Sequence, residues 1–238
     1  MRFGKQVVLV TGGSSGIGLA TAEAFLSEGA KVAISARNLP RLRAATRSLR
    51  TFGDVLPIRG DVSKATDARR FARETERRLG PIDVLVNNAG IWIEKELKAF
   101  TEAEYDRVMD INLKGAFLCS KYALPGMVKR RRGVIVNVAS DSAFRGAPGS
   151  AVYGASKAGL LLMTKCMALE HARDGIRVNA ICPGEVRTPM MEADARRSGL
   201  RFGEYYRRLS ARIPMGAPPI RMRSRGPSCS SRATNRPS

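Results

Sequence analysis

The chain is poor in histidine, in cysteine and in long apolar runs, and each shortage removes a class of function. His171 is the one histidine in 238 residues. It falls at the end of a helical pattern beside Glu170 and Arg173 and reads as a surface residue, so a Ser-His-Asp hydrolase is disfavoured. Cys119, Cys166, Cys182 and Cys229 are scattered with no Cys-x-x-Cys pair. The first three lie in apolar segments and read as small buried hydrophobes, which speaks against a disulfide frame and against a metal site. The longest apolar runs, such as residues 7–10 and 160–163, are far too short to span a bilayer. Residues 1–5 lead into the first apolar segment without the h-region of a signal peptide, so a cytoplasmic protein with no membrane partner is expected.

Acidic residues are also scarce, 21 against 41 Lys and Arg, and the formal net charge is +20. The basic residues are spread along helical patterns, and Arg130-Arg131-Arg132 lies in a helix-to-strand turn. No aromatic-interleaved basic patch accompanies them, so nucleic acid is not the expected partner. An anionic cofactor or substrate would still benefit from the surplus. Hydrophobic content of 44% and charged content of 26% are those of a globular protein, and the length suffices for one large domain.

What is present is an alternation. Short β-branched runs at 6–10, 31–35, 55–58, 82–86, 133–138 and 176–181 are each followed by a helical pattern. This predicts a Rossmann-type α/β fold with a doubly wound parallel sheet of six strands. Asn38 and Ser63 are placed to cap two of the helices, and Thr101-Glu102-Ala103-Glu104 forms a capping box for a third. In such a sheet ligands bind beyond the carboxyl ends of the strands. Polar or glycine features gather there: Thr11–Gly18, Arg37, Asp61, Asn87-Asn88-Ala89-Gly90, Ser140 and Pro183-Gly184.

Strand, glycine-rich turn and helix in succession mark a dinucleotide site. In Gly12-Gly13-Ser14-Ser15-Gly16-Ile17-Gly18 the glycines let backbone approach a pyrophosphate at a helix N-terminus. Arg37 follows the second strand where an NAD-binding chain usually has an acidic residue, and a guanidinium there suits a 2′-phosphate. NADP is therefore the preferred cofactor, with NAD as the alternative. Tyr153 and Lys157 lie four residues apart on one helix face. An ammonium beside the phenol is expected to lower its pKa and make Tyr153 a general acid/base. Asn112, in the middle of a helical pattern, is an odd residue for that position unless its amide has a task.

These motifs, in this order, resemble those of the short-chain dehydrogenases/reductases, from about residue 5 to about residue 216. The resemblance implies Asn112, Ser140, Tyr153 and Lys157 as catalytic residues. It implies cofactor contacts from Gly12, Ser14, Ser15, Gly16, Ile17, Gly18, Arg37, Asp61, Val62, Asn88, Ala89, Gly90, Tyr153, Lys157, Pro183, Gly184, Val186 and Thr188. Asp61-Val62 would meet the adenine. Ser140 would orient the substrate oxygen, and Asn112 would hold a water joining Lys157 to solvent. Trp92-Ile93, Phe144-Arg145-Gly146 and a lid from Val186 onward would border a small carbonyl or alcohol substrate. A homo-oligomer is expected from the family. Beyond Gly216 the resemblance ends. Residues 217–238 hold five arginines and no acid, and their composition predicts a disordered basic tail. The usual seventh strand is expected to be missing, which leaves a non-catalytic or unstable dinucleotide-binding remnant as the alternative reading.

Overall fold

The computed structural model describes residues 1–211 and the backbone of Ile220–Arg221. Six strands form one parallel sheet: β1 (Val7–Thr11), β2 (Lys31–Ala36), β3 (Val55–Arg59), β4 (Val84–Asn87), β5 (Gly133–Val138) and β6 (Ile176–Ile181). Their order is β3-β2-β1-β4-β5-β6, so the chain reverses its winding between β1 and β4. The six expected strands are all present, within two residues of their expected ends. β1 is buried at every position, because helices cover both faces of the sheet centre. Pro57 sits in β3, an edge strand, where its missing N–H costs no ladder bond. Among the described residues β6 pairs only with β5, so it forms the opposite edge.

The helices are α1 (Gly16–Ser27), α2 (Leu39–Leu49), α3 (Ala65–Leu79), α4 (Glu102–Met109), α5 (Gly115–Arg130), α6 (Ala151–His171), α7 (Pro189–Arg197) and α8 (Phe202–Ser210). Among the described residues the core falls into three clusters. One contains Phe71, Leu85, Ile135 and Met127, a second Val10, Ala22, Ile34 and Leu42, and a smaller third joins α7 to α8 through Met191, Ala195, Tyr205 and Leu209. Asn38 caps α2 by accepting from Arg41 N at 2.8 Å, and Thr101 and Glu104 form the capping box of α4. Ser63 does not cap α3. Lys64 occupies that position, and the Ser63 hydroxyl donates to Asp61 Oδ1 at 2.8 Å instead. Cys119 is buried as expected, but Cys166 is exposed because α6 turns that face outward, and Cys182 is half-buried. His171 pairs with Asp174 at 2.9 Å near the surface, away from the sheet's ligand edge.

Most of the segment expected to be a basic tail, along with Cys229, lies outside the described residues. The exception is two residues long. Ile220–Arg221 forms a short strand β8 parallel to β7 (Val186–Arg187), in a second, two-stranded sheet. No described helix is long and apolar enough to cross a membrane.

Candidate active site

The turn after β1 is shaped by what its glycines omit. Gly12 has φ +65, and a Cβ there would come 2.9 Å from Ala89 Cα. A Cβ on Gly18 would lie 2.3 Å from Asn88 Nδ2 and 2.6 Å from Gly12 O. Those gaps admit the Asn88 amide, which donates to Thr11 O at 2.9 Å. Thr11 Oγ1 then accepts from Asn88 N and Ala89 N, at 3.0 and 3.1 Å. The β1 and β4 turns are thereby locked together. Ser15, at the N-cap of α1, makes no side-chain cap bond, and the first turn of α1 carries no acidic residue. The N–H groups of that turn and its positive dipole end are suited to an anion.

A cavity of about 670 Å³ opens over this edge of the sheet. Gly12, Ser14, Ser15, Gly16, Ile17, Arg37, Asp61, Val62, Asn88, Ala89, Gly90, Ser140, Tyr153, Lys157, Pro183, Gly184, Val186 and Thr188 all line it. Gly18 and Asn112 do not. Gly18 lies behind the turn and makes room for Asn88. Of the expected substrate border, Trp92, Arg145, Gly146, Met190 and Met191 line the cavity, whereas Ile93 and Phe144 do not, and Phe144 is 67% exposed. Sequence reasoning missed Arg41, Asp141 and Glu185, which also line it. Arg41 carried a signal, since it sits on the first turn of α2 four residues after Arg37.

Arg37 is not a free cation. Its Nη1 lies 3.6 Å from Asp61 Oδ2, and both side chains remain partly exposed. The pair joins the ends of β2 and β3, and Arg41 lines the same cavity.

Asn112 acts from behind the cavity. It lies in a π-helical turn, Asp110–Lys114, between α4 and α5. Its Oδ1 accepts from Ile91 N at 2.8 Å, and its Nδ2 donates to Ile91 O and Ser156 Oγ, each at 3.0 Å. The amide thus braces the strand after β4 against α6. A Cβ added at Gly90 would meet both Asn112 Oδ1 at 3.3 Å and Lys157 Nζ at 3.4 Å, so the two side chains converge on that glycine. A second buried chain runs from Ser120 through Asn87 and Asn137 to Thr164, with links of 2.8 to 2.9 Å. It ties α5, β4, β5 and α6 together, and nothing in the local pattern announced it.

Tyr153 is half-buried, and its ring centroid is 6.1 Å from that of Trp92. Burial pushes its phenol above the usual value; the Ser140 hydroxyl pulls against this, and the carboxylates of Asp141 and Glu185 raise it further. This reverses the expected lowering. Lys157 Nζ lies 5.8 Å from the Tyr153 ring centroid and donates one of its three N–H groups to Val138 O at 2.8 Å. Lys157 is only 4% exposed, and burial brings its own pKa down to about 8. Ser140 Oγ accepts from Ser142 N at 3.2 Å and donates to Asp141 Oδ1 at 3.2 Å.

A doubly wound sheet with a glycine turn and a Ser, Tyr and Lys set at its carboxyl edge defines a nucleotide-binding oxidoreductase. The chain matches the short chain dehydrogenase family over residues 6–198 and belongs to that family. It is 40% identical over 195 residues to levodione reductase of Leifsonia aquatica, covering 80% of this chain and 73% of that protein. A 3-oxoacyl acyl-carrier-protein reductase of Thermotoga maritima is 43% identical over 195 residues, covering 81% and 78% respectively. Among solved structures, that of levodione reductase superposes with a TM-score of 0.87 at 34% identity, covering 92% of this chain and 86% of that one. A variant of actinorhodin polyketide ketoreductase solved with NADPH gives 0.85 at 36% identity, covering 91% and 85%.

Proposed function

We propose that this protein transfers hydride between NADP(H) and a small carbonyl or alcohol substrate, with Tyr153 as the general acid/base. The observation that carries this reading is convergence. Ser140, Tyr153 and Lys157 meet the glycine turn in one continuous cavity. The residues fit a dinucleotide: the turn after β1 is free of side-chain bulk where Gly12 and Gly16 take positive φ, and the first turn of α1 offers N–H groups to a pyrophosphate. Asp61 and Val62 would take the adenine end, and Pro183, Gly184, Val186 and Thr188 would cover the nicotinamide end. When bound, the cofactor supplies the hydride.

The remaining steps belong to the chain's own residues. Ser140 Oγ would orient the substrate oxygen beside the Tyr153 hydroxyl. A phenol held protonated by its burial is a proton donor, the state that carbonyl reduction requires. Lys157 would hold the nicotinamide ribose. Its depressed pKa, about 8, lets it exchange protons near neutrality, as a relay to the tyrosine needs. Asn112 is a positioning residue that keeps Ile91 and Ser156 in place around this pair. The assembled set favours this reading over a non-catalytic remnant.

The test is oxidation of NADPH and NADH against a panel of ketones. Tyr153→Phe is expected to lower kcat between about a hundredfold and ten-thousandfold while nucleotide affinity persists. Turnover unaffected by that change would refute the mechanism. Arg37 and Arg41, which line the same cavity, support NADP over NAD. Arg37→Asp is expected to weaken NADPH roughly tenfold or more relative to NADH, and equal losses would refute the preference. A homo-oligomer would cover the apolar side chains left exposed on α5 and α6, Phe117, Leu162 and Leu169. The protein is proposed to work in the cytoplasm.

A further inference from the structure

The substrate is anchored, on the reading above, where Ser140 and Tyr153 stand, and the charges around that point are unlike those of the chain as a whole. The protein carries +20, yet Tyr153 feels two carboxylates, Asp141 and Glu185, both of which line the cavity. Besides Lys157, whose ammonium is bound to Val138 O, the described cations lining the cavity are Arg37, Arg41 and Arg145. Arg37 and Arg41 follow β2, three strand positions from β5 and Ser140, or roughly 14 Å. Of these three, Arg145 is the one linked to the reacting groups. It is ion-paired to Asp141, whose other oxygen accepts from Ser140. The short 3-10 turn Asp141–Ala143 brings the two residues together, and Arg145 N also bonds to Asp141 O at 3.2 Å. Trp92, Pro148, Met190, Met191 and Leu209 supply apolar surface to the same cavity.

From this arrangement we infer that the Asp141–Arg145 pair is a charge filter, and that it restricts the reacting substrate to uncharged, largely apolar ketones and alcohols. An anionic substrate entering beside Ser140 finds the nearest guanidinium already neutralised and a carboxylate in contact with the serine that must orient it. Its desolvation is then uncompensated. A neutral ring or chain meets Trp92 and the methionines instead, and loses nothing to either charge. The filter deepens the proposed function and can be tested apart from it, because Trp92 is the only tryptophan in the chain and lines the cavity.

The experiment is a titration of Trp92 fluorescence, with oxidised dinucleotide present, by two probes: a cyclohexanone carrying a ring carboxylate and the carboxamide of the same ring. The parent chain is expected to bind the carboxamide about tenfold more tightly, the size of one partly screened charge contact. Asp141→Asn frees Arg145 and should bring the two affinities together. Arg145→Gln leaves the carboxylate unopposed and should widen the gap. Equal affinities in the parent, quenching by neither probe, or a ratio unmoved by both variants would overturn the filter. Selective quenching without any ketone reduction would uphold the filter and sink the catalytic reading alone.

Discussion

The two halves of the cavity are built on opposite principles. At the half proposed to hold the nucleotide the working surface is backbone, and what matters is the absence of side chains. Gly12 and Gly18 leave gaps of under 3 Å that any Cβ would fill. At the half proposed for the substrate the working surface is side chain, and what matters is which groups each one touches. Lys157 bonds to Val138, Asn112 to Ile91 and Ser156, and Asp141 to Ser140 and Arg145. The backbone half tolerates almost no substitution but is simple to specify. The side-chain half is specified only by the whole fold, and its protonation states follow from burial more than from the partners a sequence suggests.

The sharpest way to break this contrast is to add atoms where the backbone half has none. Gly18→Val would drive a side chain into Asn88 Nδ2 and Gly12 O, with a carbonyl that cannot rotate away. A loss of about 3 kcal/mol or more in unfolding free energy is expected, together with loss of dinucleotide binding. Denaturant unfolding and nucleotide titration check it, and a stable, binding variant would show that the turn is less constrained than its spacing indicates. On the side-chain half, Asn112→Ala removes three hydrogen bonds, one buried and two partly buried, and leaves Ile91 N and O to find other partners. The expected loss is about 2 kcal/mol, with kcat falling more than KM rises as Tyr153 and Lys157 lose their brace. A change in KM alone would argue against a bracing role.

The smallest effect tests burial itself. The folded pKa of Lys157, about 8, lies below its ordinary value of 10.5. Between those values the unfolded chain binds more protons than the folded one, so this group stabilises the fold as pH rises through the window. The penalty on the buried ammonium is present in full below pH 8 and fades above it. Lys157→Met lacks that term. Its melting temperature relative to the parent should therefore fall between about pH 7.5 and pH 9, by roughly 2–4 °C for a change of about 1 kcal/mol. A difference that stays flat with pH would place the ammonium in water.

Much of the fold was legible because its signals are local. β-branched runs, glycine punctuation and caps at Asn38 and Thr101 act within a few residues, and the structure matches them closely. Ser63 misled because Asp61 accepts from both its backbone N–H and its hydroxyl, which holds Ser63 in the turn one residue before the position that caps α3. Cys166 misled because an apolar segment can still present one face to solvent. The odd placement of Asn112 did mark an amide with a task, although its partners, Ile91 and Ser156, lie 21 and 44 residues away.

By itself the sequence determined the alternation of strands and helices, the glycine turn after β1 and the spacing of Tyr153 and Lys157 on one helix face. These depend on steric and helical rules that hold whatever surrounds them. Only the tertiary structure decided what those residues feel. Lys157 donates to Val138, a residue of β5; burial raises the Tyr153 phenol; and Asp141 stands between Ser140 and Arg145. The reason is physical: desolvation and long-range pairing depend on everything packed around a group, and neither can be read from its neighbours in the chain.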